Sequence, residues 1–133
     1  MEGARVAGRY LVEHLAGTGG MARVWRATDL TDYTPVALKR MLEPLRDTPD
    51  ARAMFDDEAA ITRSLRHPNV VGALAHGSDV DGPWLALEWV EGVNAHELIT
   101  ARRAPLGVRA TLALAVDLLQ GVAALHGPGV GVI

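Results

Sequence analysis

Val36-Ala37-Leu38-Lys39 is a short alternating run of β-favouring residues, and it reads as a strand ending on the only lysine of the chain. The sequence carries 13 Lys and Arg residues, and every one except Lys39 is arginine. The distinction is chemical: an ammonium is a compact point charge on a flexible stem, whereas a guanidinium is a broad planar fork. Strand alternation puts Ala37 and Lys39 on one face and Val36, Leu38 and Arg40 on the other. A small alanine beside a lysine suits a flat ring over the alanine and an anion at the ammonium. A lysine solvated at a strand end has the same local sequence.

Upstream lies Gly17-Thr18-Gly19-Gly20-Met21-Ala22-Arg23-Val24, a glycine-rich turn between two β-like segments. Such a turn can bring backbone N–H groups against anionic oxygens because no Cβ intervenes, although ordinary hairpins use glycine too. Downstream, Pro49 and Asp50 open a predicted helix over Asp50 to Leu65 that stops ahead of Pro68. Met54, Glu58, Ile61 and Leu65 recur at helical spacing, so Glu58 is the one charge on an apolar stripe. An inward carboxylate is costly unless a cation meets it, and Lys39 is the candidate; a Glu58 at the edge of the stripe would instead reach solvent. Trp84-Leu85-Ala86-Leu87-Glu88-Trp89-Val90-Glu91-Gly92 is nearly continuous in apolar residues and reads as a strand buried on both faces, broken by glycine.

The remaining pattern predicts strands near Arg9 to Gly17, Ala22 to Thr28, Thr34 to Met41, Asn69 to Gly77 and Pro83 to Val90. Helices are expected near Asn94 to Ala101 and Leu106 to His126, giving an α+β order that starts with antiparallel hairpins. Residues 1–8 read as a flexible arm, 9–90 as the body of the domain and 91–133 as a helical continuation. At 133 residues one domain with a real core is possible, and 49% hydrophobic with 22% charged residues argues against disorder. A net charge of −3 gives no reason to expect nucleic-acid binding. The absence of cysteine removes thiol chemistry and disulfides, and fits a cytoplasmic location. His14, His67, His76, His96 and His126 lack metal-ligand spacing, so no metal site is expected, and the three tryptophans read as packing. Met1 to Gly8 lacks a signal-peptide core, and Leu112 to Leu125, interrupted by Asp117 and Gln120, is expected to be too short to span a bilayer.

In order and spacing these features resemble the small lobe of a protein kinase, specifically the bacterial relatives of eukaryotic Ser/Thr protein kinases. The match comprises the Gly17 to Val24 loop, Val36-Ala37-Leu38-Lys39 and the helix acid Glu58. His67-Pro68-Asn69-Val70-Val71 resembles the stretch after helix C, and Glu88-Trp89-Val90-Glu91-Gly92 the hinge. A dinucleotide fingerprint would need the glycines to open a helix, and a Walker loop would need Gly-Lys-Ser/Thr; neither context is present. The resemblance, covering Arg9 to His126, implies a five-stranded antiparallel sheet with one helix C, then helices D and E of a large lobe. It implies ATP as cofactor, with backbone N–H groups of Thr18 to Ala22, including Gly19, Gly20 and Met21, over its phosphates. Lys39 would contact the α- and β-phosphates and pair with Glu58. Ala16, Val24, Ala37 and Leu87 would line the adenine slot, with the Glu88 carbonyl and Val90 backbone on the adenine edge.

Two departures are small: Ala16 stands where the family usually has leucine, and Ala22 replaces the third loop glycine. The large one concerns the His-Arg-Asp catalytic loop, due just after Leu125-His126-x-x-Gly129-Val130, where the sequence reads Gly131-Val132-Ile133. The isolated chain is therefore expected to be inactive, with Mg²⁺ and a protein substrate engaged only by a fuller kinase. A shifted reading frame would explain a drift from the family at that place. The alternatives are a non-catalytic nucleotide-binding or partner-docking module, or a decayed gene fragment. The stripe Leu112, Val116, Leu119 and Ala123 is expected to lack cover, so self-association is expected of the chain alone.

Overall fold

A computed structural model describes residues 1–102 and 104–127. Its framework is one antiparallel sheet of six strands: β1 (Arg5–Val6), β2 (Tyr10–Thr18), β3 (Ala22–Asp29), β4 (Pro35–Met41), β5 (Ala73–Asp79) and β6 (Gly82–Glu88), in the order β1-β2-β3-β4-β6-β5. Among the described residues three α-helices accompany it, α1 (Pro49–Ser64), α2 (Ala95–Arg102) and α3 (Val108–Leu125), with a short 3-10 turn at Glu43–Leu45. The expected α+β order is present, and the glycine run closes the β2–β3 hairpin, where Gly19 N–H donates to the Ala22 carbonyl at 2.8 Å. The register pairs Val24 with Lys39 and Lys39 with Leu85, while Ala37 stands opposite Leu87.

Each face of the sheet carries its own core, as the strand period requires. On one face Val36 and Leu38 of β4 join Val6, Tyr10, Val12, Ala27, Trp84 and Ala86. The Tyr10 and Trp84 rings meet edge-on there, with centroids 5.5 Å apart. Gly77 allows that packing, because a Cβ on it would stand 2.7 Å from the Trp84 ring. On the other face Ala22, Met41 and Leu85 meet Ala51, Phe55 and Ala59 of α1. Burying a leucine- or phenylalanine-sized side chain is worth about 1.5–3 kcal/mol, so these contacts fix α1 against the sheet.

The structure corrects several expectations. The segment 1–8 contains β1, paired with β2 through Arg5–Leu11 and Val6–Tyr10, and Val6 is buried. That two-residue strand makes the sheet six-stranded rather than five-stranded. The buried stripe of α1 is Ala51, Phe55 and Ala59, whereas Met54 is 59% exposed. Glu58 therefore lies at the edge of the stripe. The strand expected from Asn69 begins at Ala73, because Asn69 and Val70 turn back on His67: Asn69 N–H donates to His67 Nδ1 and Val70 N–H to the His67 carbonyl.

Helix α2 is capped reciprocally: Glu97 N–H donates to Asn94 Oδ1 at 2.8 Å, and Asn94 N–H to Glu97 Oε2 at 3.0 Å. Helix α3 touches the sheet-bearing part through Asn69, whose Nδ2 donates to the Asp117 carbonyl at 2.9 Å and to Gln120 Oε1 at 3.1 Å. Gly121, its one buried residue, permits the approach, since a Cβ would come within 3.0 Å of the Asn69 carbonyl oxygen. Leu112, Val116 and Leu119 are exposed, together with Leu114 and Leu118. With 18 residues and a mean hydropathy of 1.6, α3 is the one helix among the described residues long and apolar enough to cross a membrane. The stretch judged too short from Leu112 is lengthened by a start at Val108. A core helix of a larger fold passes the same test. The expected break with the catalytic loop, from Gly129 to Ile133, lies outside the described residues.

Asp29 anchors the start of the sheet. Arg9 donates to it through Nε at 2.9 Å and Nη2 at 2.6 Å, and Thr31 N–H donates to Oδ1 at 3.0 Å. The Arg9 hydrogen bonds hold the Asp29 carboxyl well below the usual carboxylate range, against the opposing effect of burial. Because the folded-state value is depressed, this stability is present above the ordinary carboxylate pKa of about 4 and is lost as pH falls below it. Asp29→Asn should destabilise the chain at neutral pH by about 1–3 kcal/mol, with a smaller loss of stability between pH 4 and pH 2 than the native chain shows. Urea titrations across that range measure both, and parallel pH curves would contradict it.

Candidate functional site

Lys39 leaves β4 on the face that receives α1, opposite Val24 and Leu85, and its ammonium meets the helix acid. Lys39 Nζ donates to both carboxylate oxygens of Glu58, at 2.5 and 2.6 Å. The Phe55 ring lies beside the same ammonium, with its centroid 5.8 Å away. Glu58 reaches the lysine from the edge of the α1 stripe, one turn beyond the buried Phe55 that seats the helix. The Lys39 side chain is 22% exposed and that of Glu58 45%, so solvent screens the pair and its net worth is at most about 1 kcal/mol. Its value is positional.

Over this pair lies a cavity of about 440 Å³, lined by Gly19, Gly20, Met21, Ala22 and Val24 on one side and by Lys39, Met54, Phe55 and Glu58 on the other. The glycine turn is its roof. A Cβ at Gly20 would meet nothing within 4 Å, so the backbone borders open space. One ammonium, bare backbone and apolar walls suit a ligand with an anionic end.

Of the residues singled out from sequence, Gly19, Gly20, Met21, Ala22, Val24, Lys39 and Glu58 come together around this cavity. Ala16, Gly17 and Thr18 belong to the end of β2 leading into the turn and do not line it. Ala37 and Leu87 face each other across β4 and β6, on the same face as Lys39, further along the sheet. Glu88 ends β6; its backbone N–H donates to the Gly72 carbonyl at 3.0 Å, and its side chain accepts from Gly72 N–H at 3.1 Å. Val90 is exposed beyond it. Sequence reasoning missed Phe55 as a wall, and placed Met54 in the core although it stands at the cavity mouth. The i+3 relation of Phe55 to Glu58 was the available signal. Among the described residues no three His, Cys, Asp or Glu side chains gather as metal ligands.

A curled antiparallel sheet, one packed helix, a glycine flap and a strand lysine paired to a helix acid define a protein-kinase-like small lobe. The chain belongs to the protein kinase domain family, whose signature it matches over residues 10–132. It is 33% identical over 129 residues to the serine/threonine-protein kinase pkn3 of Myxococcus xanthus, covering 96% of this chain and 23% of that protein. It is 32% identical over 124 residues to the serine/threonine-protein kinase PrkC of Bacillus subtilis, covering 93% of this chain and 19% of PrkC. The chain thus spans about a fifth of the length of these curated relatives. In fold it is similar to the PknI kinase domain of Mycobacterium tuberculosis, with TM-score 0.80, 24% identity, and coverage of 97% of this chain and 52% of that one. The likeness covers the small lobe and the first helices of the large lobe, the expected arrangement.

Glu58→Gln should cost less than about 1 kcal/mol of unfolding free energy by urea denaturation, because the pair is solvent-screened. A loss of about 3 kcal/mol or more would make it a buried structural bridge instead.

Proposed function

We propose that this chain is the ATP-holding part of a bacterial Ser/Thr protein kinase. The observation that carries the reading is the Lys39–Glu58 pair on the floor of a cavity roofed by the glycine turn. The residues fit a nucleotide's phosphates: the roof supplies backbone next to open space, and the floor supplies one ammonium held in place. ATP supplies the γ-phosphoryl group for transfer to a protein hydroxyl.

The residues of this chain divide the remaining work. Glu58 orients the Lys39 ammonium, and Lys39 holds the α- and β-phosphates. The N–H groups of the Thr18 to Ala22 turn, apart from that of Gly19, which closes the turn on the Ala22 carbonyl, cover the phosphates and exclude water. Ala16, Val24, Ala37 and Leu87 enclose the adenine, while the Glu88 carbonyl and the Val90 backbone hydrogen-bond its edge. None of the 133 residues forms a His-Arg-Asp or Asp-Phe-Gly motif, and the one carboxylate on the cavity is taken by Lys39. We therefore assign the base, the magnesium ligands and the protein-substrate site to other parts of a fuller kinase, and this stretch alone binds nucleotide without turning it over. The same proposal accounts for α3: its exposed Leu112, Val116 and Leu119 would be covered by the rest of a large lobe, and by self-association when that is absent.

Mg-ATP should raise the melting temperature of the native chain by a few degrees at saturating nucleotide and leave Lys39→Met unshifted. Differential scanning calorimetry reads both, and an equal shift in the two chains would remove the phosphate role of Lys39.

A further inference from the structure

A second cavity, of about 420 Å³, lies on the opposite face of the sheet from the Lys39 site, between the amino-terminal segment and strands β3 and β4. Arg5, Arg23, Arg40 and Arg46 line it, against two carboxylates, Glu43 and Asp81. Three features make it more than a crowded surface. Arg23 and Arg40 are direct cross-strand partners, so two like charges face each other on one side of the sheet, an unfavourable pairing unless something negative offsets it. Arg40 is 3% exposed; its Nη2 reaches Asp79 and the Gly82 carbonyl, but its buried Nε has no partner. Arg46 likewise carries a buried Nε without a partner on the same cavity. Among the described residues Asp79 and, at 4.0 Å, Asp81 offset Arg40, whereas Arg5, Arg23 and Arg46 form no ion pair.

We propose that this arginine-lined cavity binds a phosphate group. A tetrahedral dianion offers oxygens in several directions, which suits a cavity lined by arginines from β1, β3, β4 and the Leu42–Arg46 segment. The anion would offset the charge of Arg23, which has no ion pair among the described residues, beside Arg40. The phosphate belongs either to a phosphorylated side chain or to a free anion; both present the same chemistry to the arginines. The site is separate from the nucleotide cavity and does not depend on the reading given to Lys39.

Isothermal titration of the full chain with inorganic phosphate and with a phosphoserine peptide tests this, with sodium chloride of equal ionic strength as reference. Phosphate should bind the native chain, and binding should weaken at least about tenfold in Arg23→Gln. Asp81→Asn removes a competing carboxylate and should tighten binding, a gain that loss of folding cannot imitate. Tighter binding of the peptide than of free phosphate identifies a phosphorylated side chain; equal binding identifies a free anion. Binding that is absent, unchanged in Arg23→Gln, weakened in Asp81→Asn or abolished in Lys39→Met would overturn the proposal.

Discussion

The register of β4 between β3 and β6 is the constraint on which the rest of the structure depends. Lys39 stands beside Val24 on one side and Leu85 on the other. A slip by one residue would turn Lys39 into the core now filled by Val36 and Leu38 and bring Arg40 to the helix face. The burial of those two residues, fully enclosed on the far face, makes the slip prohibitive. An exposed, weakly stabilising ion pair is thus placed by apolar packing that lies behind it.

The same logic accounts for the acid. Helix α1 is seated by Ala51, Phe55 and Ala59 against Ala22, Met41 and Leu85. Alanines stand at both ends of that stripe, and Phe55 fills the middle. Glu58 follows Phe55 by three positions, so the seating that buries the ring also delivers the carboxylate to the lysine. Packing energy and site geometry are supplied by adjacent residues of one helix, and the pair itself adds little to stability.

Much of this was legible before the structure. The two faces of Val36-Ala37-Leu38-Lys39 follow from strand alternation, and the burial of the Trp84 to Ala86 run follows from its continuity. The glycine turn lay where its composition put it. What misled was side-chain size: Met54 is the larger apolar residue, yet Ala51 and Ala59 are the ones buried against the sheet, while Met54 lines the cavity. Strand β1 was unreadable, since two residues have no period and Val6 is buried only because the chain folds back over Tyr10 and Val12. The opposition of Arg23 and Arg40 depends on the register that the loop between β3 and β4 sets for this hairpin, which neither strand's own pattern reveals.

Because Lys39 is the only lysine, one measurement tests the central claim directly. An acyl phosphate derivative of ATP, which passes its acyl group to an amine beside the bound phosphates, should modify Lys39 selectively in mass-spectrometric peptide mapping, and excess ATP should suppress the modification. Acylation of Lys39 no faster than that of the Met1 amine, or indifferent to ATP, would contradict the assignment of this cavity to nucleotide phosphates.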